Sequence, residues 1–548
     1  MDSQRPFLYL TLLFMLFLIW STWQQDHAPK PPTPVVSTAN PATTGSTNNA
    51  DLPSQAGVLP GQSATGKGQI ITVKTDKLLL HINTQGGEIV EADLPTYPVS
   101  VDQPNVPVKI LDLANRNYVA QSGLQHQPIT GQDVSNFAPN HTTQYSTPQT
   151  DYVLANDKNE VVVPMAWDSP NGVTVIKRFI FKRGSFLVNV EHEVQNRSNS
   201  VWSGTEYRQL KHGTPPKGGS FLTGAQAYVG GAYYHDGKYK KVSFSDMQEH
   251  NLSESTVGGW VAMQEHYFLS AWVPPKDAEQ YYSMVTQNQG VPGYVLGMRS
   301  PMKQIASGST DTFKSEFYVG PKDQDTLKQI ADGLDLTVDY GVLAFISKPL
   351  FWLMKFIHSF LGNWGWTIVM LTFVVKLIFF YPSAMSYKSM AKMKAVSPKL
   401  KDINERYTDD PQGKQKAMVD LYRKEKINPL GGCLPILIQI PVFMGLYWVL
   451  LESVELRQAP WILWYKDLSV RDPYFVLPII MGATMYLQQL LNPPQVDPMQ
   501  QKIFQFMPII FTVMFLFFPS GLVLYWVVNN ILSMAQQWYI NKKIIGHA

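Results

Sequence analysis

The stretch from Ile503 to Ile540, IFQFMPIIFTVMFLFFPSGLVLYWVVNNILSMAQQWYI, contains no charged residue over 38 positions. A helix needs roughly 17–25 apolar residues to cross a bilayer, so this stretch is too long for one crossing. Pro519-Ser520-Gly521 interrupts it with residues that are typical of a turn. The stretch therefore predicts two membrane-spanning helices joined by a tight hairpin.

Further apolar runs predict the other spans of a polytopic α-helical membrane protein. They are Phe7–Trp23, Trp364–Tyr381, Leu430–Leu451 and Tyr474–Leu491. The first run lacks the small-residue cleavage site of a signal peptide, so residues 1–24 are predicted to be an uncleaved anchor. Six spans result: this anchor and a five-helix core over residues 362–541, followed by a short basic tail over 542–548.

Charge asymmetry predicts the orientation of these spans. Residues 383–429 carry eleven Lys and Arg, whereas the loop 452–473 carries three. Short cytoplasmic loops are enriched in Lys and Arg. Both termini and the loop 383–429 are therefore predicted to be cytoplasmic, and residues 69–340 lie on the opposite side.

The loop 383–429 is predicted to be a helical hairpin, with helices over Met385–Tyr407 and Gly413–Lys426. Its eleven basic residues face six acidic ones, a net charge of +5 that can contact anionic lipid, ribosomal RNA or a nascent chain. Membrane anchoring by positive charge alone also explains much of this pattern. The candidate contact residues are Lys388, Lys392, Lys394, Lys399 and Lys401.

Residues 25–68 are rich in Pro, Thr, Ser, Asn and Gly, which predicts a flexible tether. Gly61–Gly68 resembles a phosphate-binding loop, but Gly68 occupies the position of the magnesium-binding Ser or Thr. We therefore expect no nucleotide site. The one cysteine, Cys433, excludes an intramolecular disulfide and a cysteine-based zinc cluster.

Residues 69–340 predict an antiparallel β-sandwich. Short runs rich in β-branched and aromatic residues indicate its strands: Ile70–Val73, Leu78–Ile82, Val161–Met165, Val173–Phe181 and Phe186–Val194. Lys182–Ser185 is typical of a hairpin turn between the last two runs. The apolar spacing within Asp323–Leu334 predicts a helix at the end of this domain.

Residues 341–361 predict a basic amphipathic helix. Lys348, Lys355 and Ser359 fall on one helical side, a pattern typical of helices that lie in the membrane interface. The alternative is that this segment is the start of the next span, bent at Pro349.

Polar side chains inside the spans are the candidate functional residues. Lys376 is costly in a membrane, by about 2.5–3.5 kcal/mol at the centre of a span. Either it extends to the cytoplasmic headgroups, or it lines a water-filled cavity with Thr372, which lies one turn away. Nothing in its spacing alone decides between the two.

Further polar positions recur at helical spacing. They are Tyr525, Asn529, Ser533 and Gln536 in the last span, Thr484, Gln488 and Asn492 in the fourth, and Gln439 in the third. Hydrogen bonds between helices explain one such stripe. Several stripes and a lysine together favour a shared hydrophilic groove. The run Ile503–Phe518, roughly 24 Å long as a helix, would thin the bilayer locally.

Several motifs carry a family resemblance. They are Asn428-Pro-Leu-Gly-Gly-Cys433-Leu-Pro-Ile-Leu-Ile-Gln439-Ile-Pro-Val-Phe443, Glu455-Leu-Arg-Gln-Ala-Pro460, Asp497-Pro-Met-Gln-Gln-Lys502, Phe518-Pro-Ser-Gly-Leu-Val-Leu-Tyr525 and Leu336-Thr-Val-Asp-Tyr-Gly341. With the anchor and the β domain, they make the chain resemble the YidC/Oxa/Alb membrane insertase family, in particular its Gram-negative bacterial branch. The resemblance covers nearly the whole chain apart from the tether.

This resemblance implies a bacterial inner-membrane protein with a five-helix insertase core and a large periplasmic antiparallel β-supersandwich domain. It implies insertion and folding of nascent membrane proteins, alone or with the Sec translocon and its accessory subunits, after delivery by the ribosome and the signal-recognition machinery. A functional monomer in contact with membrane lipids is expected, without cofactor or metal.

The same resemblance places the groove on particular residues. It assigns the positive residue to Lys376, its threonine neighbour to Thr372, and the aromatic positions of the last span to Tyr525 and Trp526. The family usually carries arginine where this chain has Lys376. Lysine is a point charge without the two-pronged geometry of arginine, so charge attraction is expected to survive and geometry-specific pairing is not.

Two other classes of function were compared with this interpretation. A small-solute transporter would show an internal repeat with broken helices, and we find none in the sequence. A periplasmic carbohydrate enzyme would need paired carboxylates or a His–Glu site. Glu191, His192 and Glu193 are adjacent on a predicted strand, so only the two glutamates share a face. We therefore predict that the chain is not an enzyme.

Overall fold

The computed structural model describes residues 68–127, 138–213, 228–249, 252–287, 293–407, 410–425, 434–492 and 498–545. The predicted anchor lies outside these residues, as do Cys433, the predicted tether except Gly68, and the rest of the rejected phosphate-loop match.

The amino-terminal part of the described chain is a β domain. Its strands are β1 Ile70–Lys74, β2 Leu79–Asn83, β3 Glu88–Ser100, β4 Gln103–Asp112, β5 Val119–His126, β6 Asp151–Val153, β7 Glu160–Asp168, β8 Val173–Lys182, β9 Leu187–Asn196, β10 Trp202–His212, β11 Gly230–His235, β12 Lys238–Val242, β13 Leu252–Val257, β14 Trp260–Gln264, β15 Phe268–Val273, β16 Glu279–Gln287, β17 Gly293–Arg299, β18 Lys303–Ile305 and β19 Thr310–Pro321.

Two sheets form this domain, so the predicted β-sandwich is confirmed. One sheet has the order β13-β16-β17-β10-β5-β3-β2-β1-β6, with β4 paired to β3 and β18 paired to β10. The other has the order β12-β11-β14-β15-β19-β9-β8-β7. Pairing is antiparallel except between β1 and β6, which run parallel.

The sandwich core follows from the alternation of apolar residues along the strands. In β8 and β9 every second residue is buried, as expected for strands with one face on a core. Phe179 and Val190 of one sheet pack in the same core as Leu80 and Ile82 of the other. The predicted hairpin between β8 and β9 is present, and Gly184 supplies its left-handed residue, with φ of +74°.

The remainder of the described chain is mostly helical. The helices are α1 Leu113–Arg116, α2 Phe244–Glu249, α3 Gln324–Ile330, α4 Ala344–Leu361, α5 Trp364–Ile378, α6 Phe380–Ala395, α7 Ser397–Arg406, α8 Pro411–Lys424, α9 Leu434–Glu452, α10 Val476–Leu491, α11 Pro498–Phe515 and α12 Ser520–Ile545. Short 3-10 turns lie at Leu334–Thr337, Gly341–Leu343 and Val454–Leu456.

The predicted cytoplasmic helix Met385–Tyr407 was wrong as one element. The chain bends by 70° between α5 and α6, so the new helix already begins at Phe380. It ends at Ala395, and α7 begins anew because Pro398 lies in its first turn. A proline there lacks the N–H that a continuous helix requires and would clash with the preceding turn.

The predicted helix Asp323–Leu334 was also too long. Asp323 caps α3, accepting a hydrogen bond from the Thr326 N–H at 2.8 Å. The helix stops at Ile330 because Ala331 is extended and Gly333 is left-handed, with φ of +72°.

Helix length gives only part of the predicted span count. Among the described helices, the segment Gly341–Leu361 is long and apolar enough to cross a membrane by itself, and the bent pair α5–α6 qualifies when taken together. Gln439–Glu452, Val476–Leu491 and Gln501–Phe515 are shorter apolar helices. Six spans, and the interfacial role of residues 341–361, remain predictions.

Six of these helices pack into one bundle, and one end of this bundle is joined to the β-sandwich. Apolar residues of α4, α5, α9, α10, α11 and α12 share one core. Nη2 of Arg457 donates to the carbonyls of Pro98 and Val99 at 2.7 and 2.9 Å. Nε2 of His266 lies 2.7 Å from the carbonyl of Leu451, at the end of α9.

Candidate functional site

Lys376 lies in the last turn of α5, two residues before the bend. Its Nζ donates to Oγ of Ser533 at 2.7 Å and lies 3.5 Å from Oε1 of Gln439. The side chain is half-buried. A cation is favourable at the carboxyl end of a helix, where the backbone carbonyls carry partial negative charge. Lys376 therefore points into the bundle toward two other helices.

Two helices, α9 and α12, supply the partners of this cation. Gln439 of α9 accepts from Lys376 through Oε1 and donates through Nε2 to the hydroxyl of Tyr525 on α12. Ser533 donates its own proton to the carbonyl of Asn529 at 2.7 Å, leaving its lone pairs toward Lys376. The predicted residues Lys376, Gln439, Tyr525 and Ser533 thus form one hydrogen-bonded chain.

The acceptors of this ammonium group are neutral oxygens. In the part of the chain that the structure describes, no carboxylate oxygen lies within 4.0 Å of Lys376 Nζ. Asn529 is buried beside this chain, and its Oδ1 has no hydrogen-bond partner among the described residues. A buried positive charge without an anion attracts a carboxylate.

Thr372 makes its hydrogen bond within its own helix. It is buried, and its hydroxyl donates to the carbonyl of Ile368 at 2.7 Å, one turn back in the same helix. Such a bond satisfies the hydroxyl within α5. Thr372 therefore lies one turn from Lys376 without bonding to it.

Trp526 belongs to an aromatic cluster next to the polar chain. Its ring centroid lies 4.6 Å from that of Phe443 in an edge-to-face contact, and 5.4 Å from that of Phe515. Tyr447 and Phe518 lie 5.9 Å apart at the same junction. This cluster joins α9, α11 and α12, and the ring centroid of Phe443 lies 6.3 Å from that of Tyr525, at the end of the polar chain.

The second predicted stripe serves helix packing. Oγ1 of Thr484 accepts from Nδ2 of Asn530 at 3.1 Å, and Oδ1 of Asn492 accepts from Nε2 of Gln537 at 3.0 Å. These bonds join α10 and its carboxyl-terminal cap to Asn530 and Gln537, which are helical neighbours of Ser533 on α12. Gln488 is half-buried on α10.

Sequence reasoning missed Asn530 and Gln537, although their seven-residue spacing in an apolar helix could have revealed them. It also missed Tyr387 of α6, whose hydroxyl lies within hydrogen-bonding reach of Ser533. Gln536 donates to the carbonyl of Phe380 at 3.0 Å and so ties α12 to the start of α6. The contact of Tyr387 with the bundle was not predicted, because residues 383–429 were assigned to the cytoplasmic loop.

The predicted loop lysines do not join this site. Lys388, Lys392, Lys399 and Lys401 are exposed, and Lys394 is half-exposed. Lys399 pairs with Glu425 at 2.7 Å, joining α7 to the end of α8.

The β domain carries no catalytic pair at Glu191 and Glu193. These two side chains are occupied by ion pairs, Glu191 with Lys314 at 3.5 Å and Glu193 with Arg178 at 2.7 Å. His192 faces the sandwich interior, where burial lowers its pKa and Nδ1 lies 2.9 Å from Oε1 of Glu206. Within the described residues no group of His, Cys, Asp or Glu is suited to hold a metal ion.

Known proteins similar to this chain cover both of its parts. The family model of the YidC periplasmic domain matches residues 70–353, and that of the 60Kd inner membrane protein matches residues 356–547. Membrane protein insertase YidC of Thioalkalivibrio sulfidiphilus (strain HL-EbGR7) is 52% identical over 475 residues, which are 86% of this chain and 85% of that protein.

Two further comparisons agree in coverage. Membrane protein insertase YidC of Pseudomonas putida (strain F1) is 50% identical over 480 residues, 87% of this chain and 84% of that protein. An active YidC insertase crystal structure with the first transmembrane domain resolved is 16% identical and covers 86% of this chain and 95% of that one, with a TM-score of 0.38.

A β-sandwich domain joined to a helical bundle with an internal cation defines the class, an inner-membrane protein with a periplasmic domain. The chain belongs to the YidC family of membrane protein insertases. The predicted family and insertase function are therefore confirmed, and the family is one of insertases rather than of enzymes.

Proposed function

We propose that this insertase integrates newly made inner-membrane proteins by holding the polar part of a substrate in a hydrophilic groove around Lys376. The observation that carries the proposal is the Lys376 ammonium group, bonded to Ser533 and lying near Gln439 without a carboxylate in reach among the described residues. Acidic groups in a substrate's translocated segment are its natural partners.

A substrate helix hairpin enters between α9 and α11, the third and fifth predicted spans. Ring contacts such as Phe443–Phe515, 6.4 Å between centroids, join these two helices at the edge of the groove. Aromatic rings present apolar surface to a substrate helix, while its polar part reaches Lys376. The apolar part then partitions into lipid, which supplies most of the driving free energy.

Short helices support a locally thinned bilayer. The run Ile503–Phe518 that predicted this thinning lies mainly in α11, whose apolar part, Gln501–Phe515, is one of the short apolar helices. Helix α10 has 16 residues, so it spans roughly 24 Å, less than a hydrocarbon core of about 30 Å. A thinner hydrocarbon layer lowers the barrier to moving a polar segment. The mechanism needs no nucleotide, cofactor or metal.

The topology and partners extend the same proposal. We place six spans, including the anchor over residues 1–24, with both termini in the cytoplasm and helix 341–361 in the interface. The partners are the Sec translocon with its accessory subunits, the ribosome, the signal-recognition machinery and membrane lipids. The exposed lysines of the loop 383–429 suit anionic lipid or RNA. One copy suffices, since α5, α9 and α12 of a single chain build the polar site.

Depletion and complementation test the proposal. The insertase is depleted from its host cell. A short membrane protein with an acidic translocated segment is then pulse-labelled, and its insertion is measured by protease accessibility. The intact chain, Lys376→Arg and a chain lacking residues 69–320 are expected to restore insertion, and Lys376→Glu is expected to fail. Normal insertion with Lys376→Glu would refute the proposed attraction between Lys376 and acidic substrate residues. Normal insertion after depletion would show that this substrate does not use the groove.

A further inference from the structure

The segment from Arg457 to Phe475, here called the 457–475 loop, joins the β-domain ends of α9 and α10. Hydrogen bonds tie its base to the starts of two helices, α5 and α12. The carbonyl of Pro460 accepts from Nδ2 of Asn363 before α5, at 3.2 Å. The carbonyls of Val470 and Leu468 accept from the first backbone N–H groups of α12 at 2.8 and 3.0 Å. The base is therefore fixed on the bundle.

Asp472 organises the rest of the loop. This buried carboxylate accepts from the hydroxyl of Tyr465 at 3.0 Å and from Nε1 of Trp464 at 3.3 Å. It also accepts from the backbone N–H groups of Tyr474 and Leu477 at 3.0 and 2.8 Å, so it caps the start of α10. Four bonds to one side chain hold the loop in a single conformation.

A tight turn at the tip presents apolar side chains away from the protein. The N–H of Trp461 donates to the carbonyl of Tyr465 at 2.8 Å, which closes the turn. Leu463 at its apex is 77% exposed, Ile462 is exposed beside it, and Tyr474 is 65% exposed.

The backbone at this apex is strained. Leu463 has φ of +53°, and Phe475, where the loop meets α10, has φ of +57°. Side chains other than glycine rarely adopt this left-handed conformation, because Cβ crowds the following carbonyl oxygen. A rigid loop that forces a leucine into an unfavourable conformation and exposes it gains nothing from that side chain within the chain itself.

We infer that Leu463, Ile462 and Tyr474 insert into the membrane leaflet on the β-domain side, so that the 457–475 loop anchors the bundle at a fixed depth. The tip continues surfaces that face lipid, since Trp366 of α5 and Ile479 of α10 are 48% and 60% exposed next to the loop's attachment points. Trp366 and Trp461 meet edge to face, with centroids 5.8 Å apart. Aromatic residues at this depth are typical of the membrane interface.

The exposed cations of the 457–475 loop are also suited to a lipid leaflet. Lys466 and Arg471 are both exposed and both precede Asp472 in the loop. Cations next to an apolar tip suit the phosphate groups of lipids that surround inserted side chains. The inference rests on the membrane placement of the proposed function and is independent of the role of Lys376.

Depth-dependent quenching tests this inference on the full chain in vesicles of phosphatidylethanolamine and phosphatidylglycerol. After Cys433→Ser, an environment-sensitive fluorophore is attached at Leu463→Cys. The matched control is Val257→Cys, an apolar residue that is 66% exposed on β13 of the β domain. Lipids with a nitroxide on the acyl chain are expected to quench the probe at 463 at least twofold more than at 257, and iodide is expected to quench it less.

Two results would overturn the inference. Equal quenching at both positions means that the tip lies in water, and protection from both quenchers means that a protein surface covers it. A second variant tests whether Leu463 holds the loop in the membrane or only lies close to it. Leu463→Gly keeps the left-handed conformation without strain and removes the apolar side chain. It is expected to reduce lipid quenching of a probe at Tyr474→Cys, and unchanged quenching there would contradict an anchoring role for Leu463.

Discussion

Replacing Lys376 by methionine removes the cation while keeping an unbranched side chain in α5. Ser533 keeps its bond to the carbonyl of Asn529, so the loss of packing is small. The effect on a substrate carboxylate can be bounded. Two unit charges 4 Å apart interact by about 1 kcal/mol in water and about 4 kcal/mol near a protein surface. For the half-buried Lys376 we take about 2 kcal/mol, roughly 30-fold in substrate capture.

The assay uses two substrates that differ by one residue, Asp or Asn, in the translocated segment. Insertion is followed in vesicles by protease protection at limiting insertase. Lys376→Met is expected to slow the Asp substrate roughly 30-fold and to change the Asn substrate by less than about twofold, because only the former carries the charge. Lys376→Arg keeps the charge and serves as the control. Equal slowing of both substrates would refute the electrostatic reasoning, since it would indicate a structural role for Lys376.

The remaining predictions concern stability. Asn530→Leu removes the bond to Thr484. It is expected to lower the free energy of unfolding by about 0.6–1.7 kcal/mol, measured by thermal unfolding in detergent. The difference in insertion rate between the Asp and Asn substrates should stay unchanged. Gly365→Ala places a Cβ 2.1 Å from Cδ1 of Trp461, so a loss of about 1–3 kcal/mol is expected, and an unchanged melting temperature would contradict this packing. Burial raises the pKa of Glu455 to about 7, so between about pH 4.5 and 7 the folded state binds a proton that the unfolded state has lost. The free energy of unfolding therefore falls as pH rises through this range. Glu455→Gln should weaken this pH dependence, measured by unfolding at several pH values.

Much of the fold could be predicted because its signals are local. Alternating apolar residues define β8 and β9, and Pro519-Ser520-Gly521 falls where α11 and α12 separate, since Ser520 begins α12. Boundaries failed where a single backbone feature decided them. Pro398 divides the predicted helix Met385–Tyr407, and the extended residue Ala331 ends α3 earlier than predicted.

The candidate site was predicted in composition but not in arrangement. Lys376, Gln439, Tyr525 and Ser533 were singled out because polar residues are costly in apolar helices. Their convergence depends on how α5, α9 and α12 pack, which no spacing within one helix reveals. The polar stripe with Thr484 looked equivalent in sequence to the one with Ser533. In the structure Asn530 donates a hydrogen bond to Thr484, so this stripe serves helix packing.

The sequence by itself determined the class of protein, the position of its apolar helices, the β-sandwich and the residues that merit attention. These depend on hydrophobicity, charge and turn chemistry, which act over a few neighbouring residues. Only the tertiary structure decided that Lys376 meets Ser533 from 157 positions away and that Thr372 bonds within its own helix. It also decided that Leu463 stands exposed on a fixed loop. Contacts between distant segments depend on packing of the whole bundle, because each helix can present any of several faces until its neighbours fix its rotation.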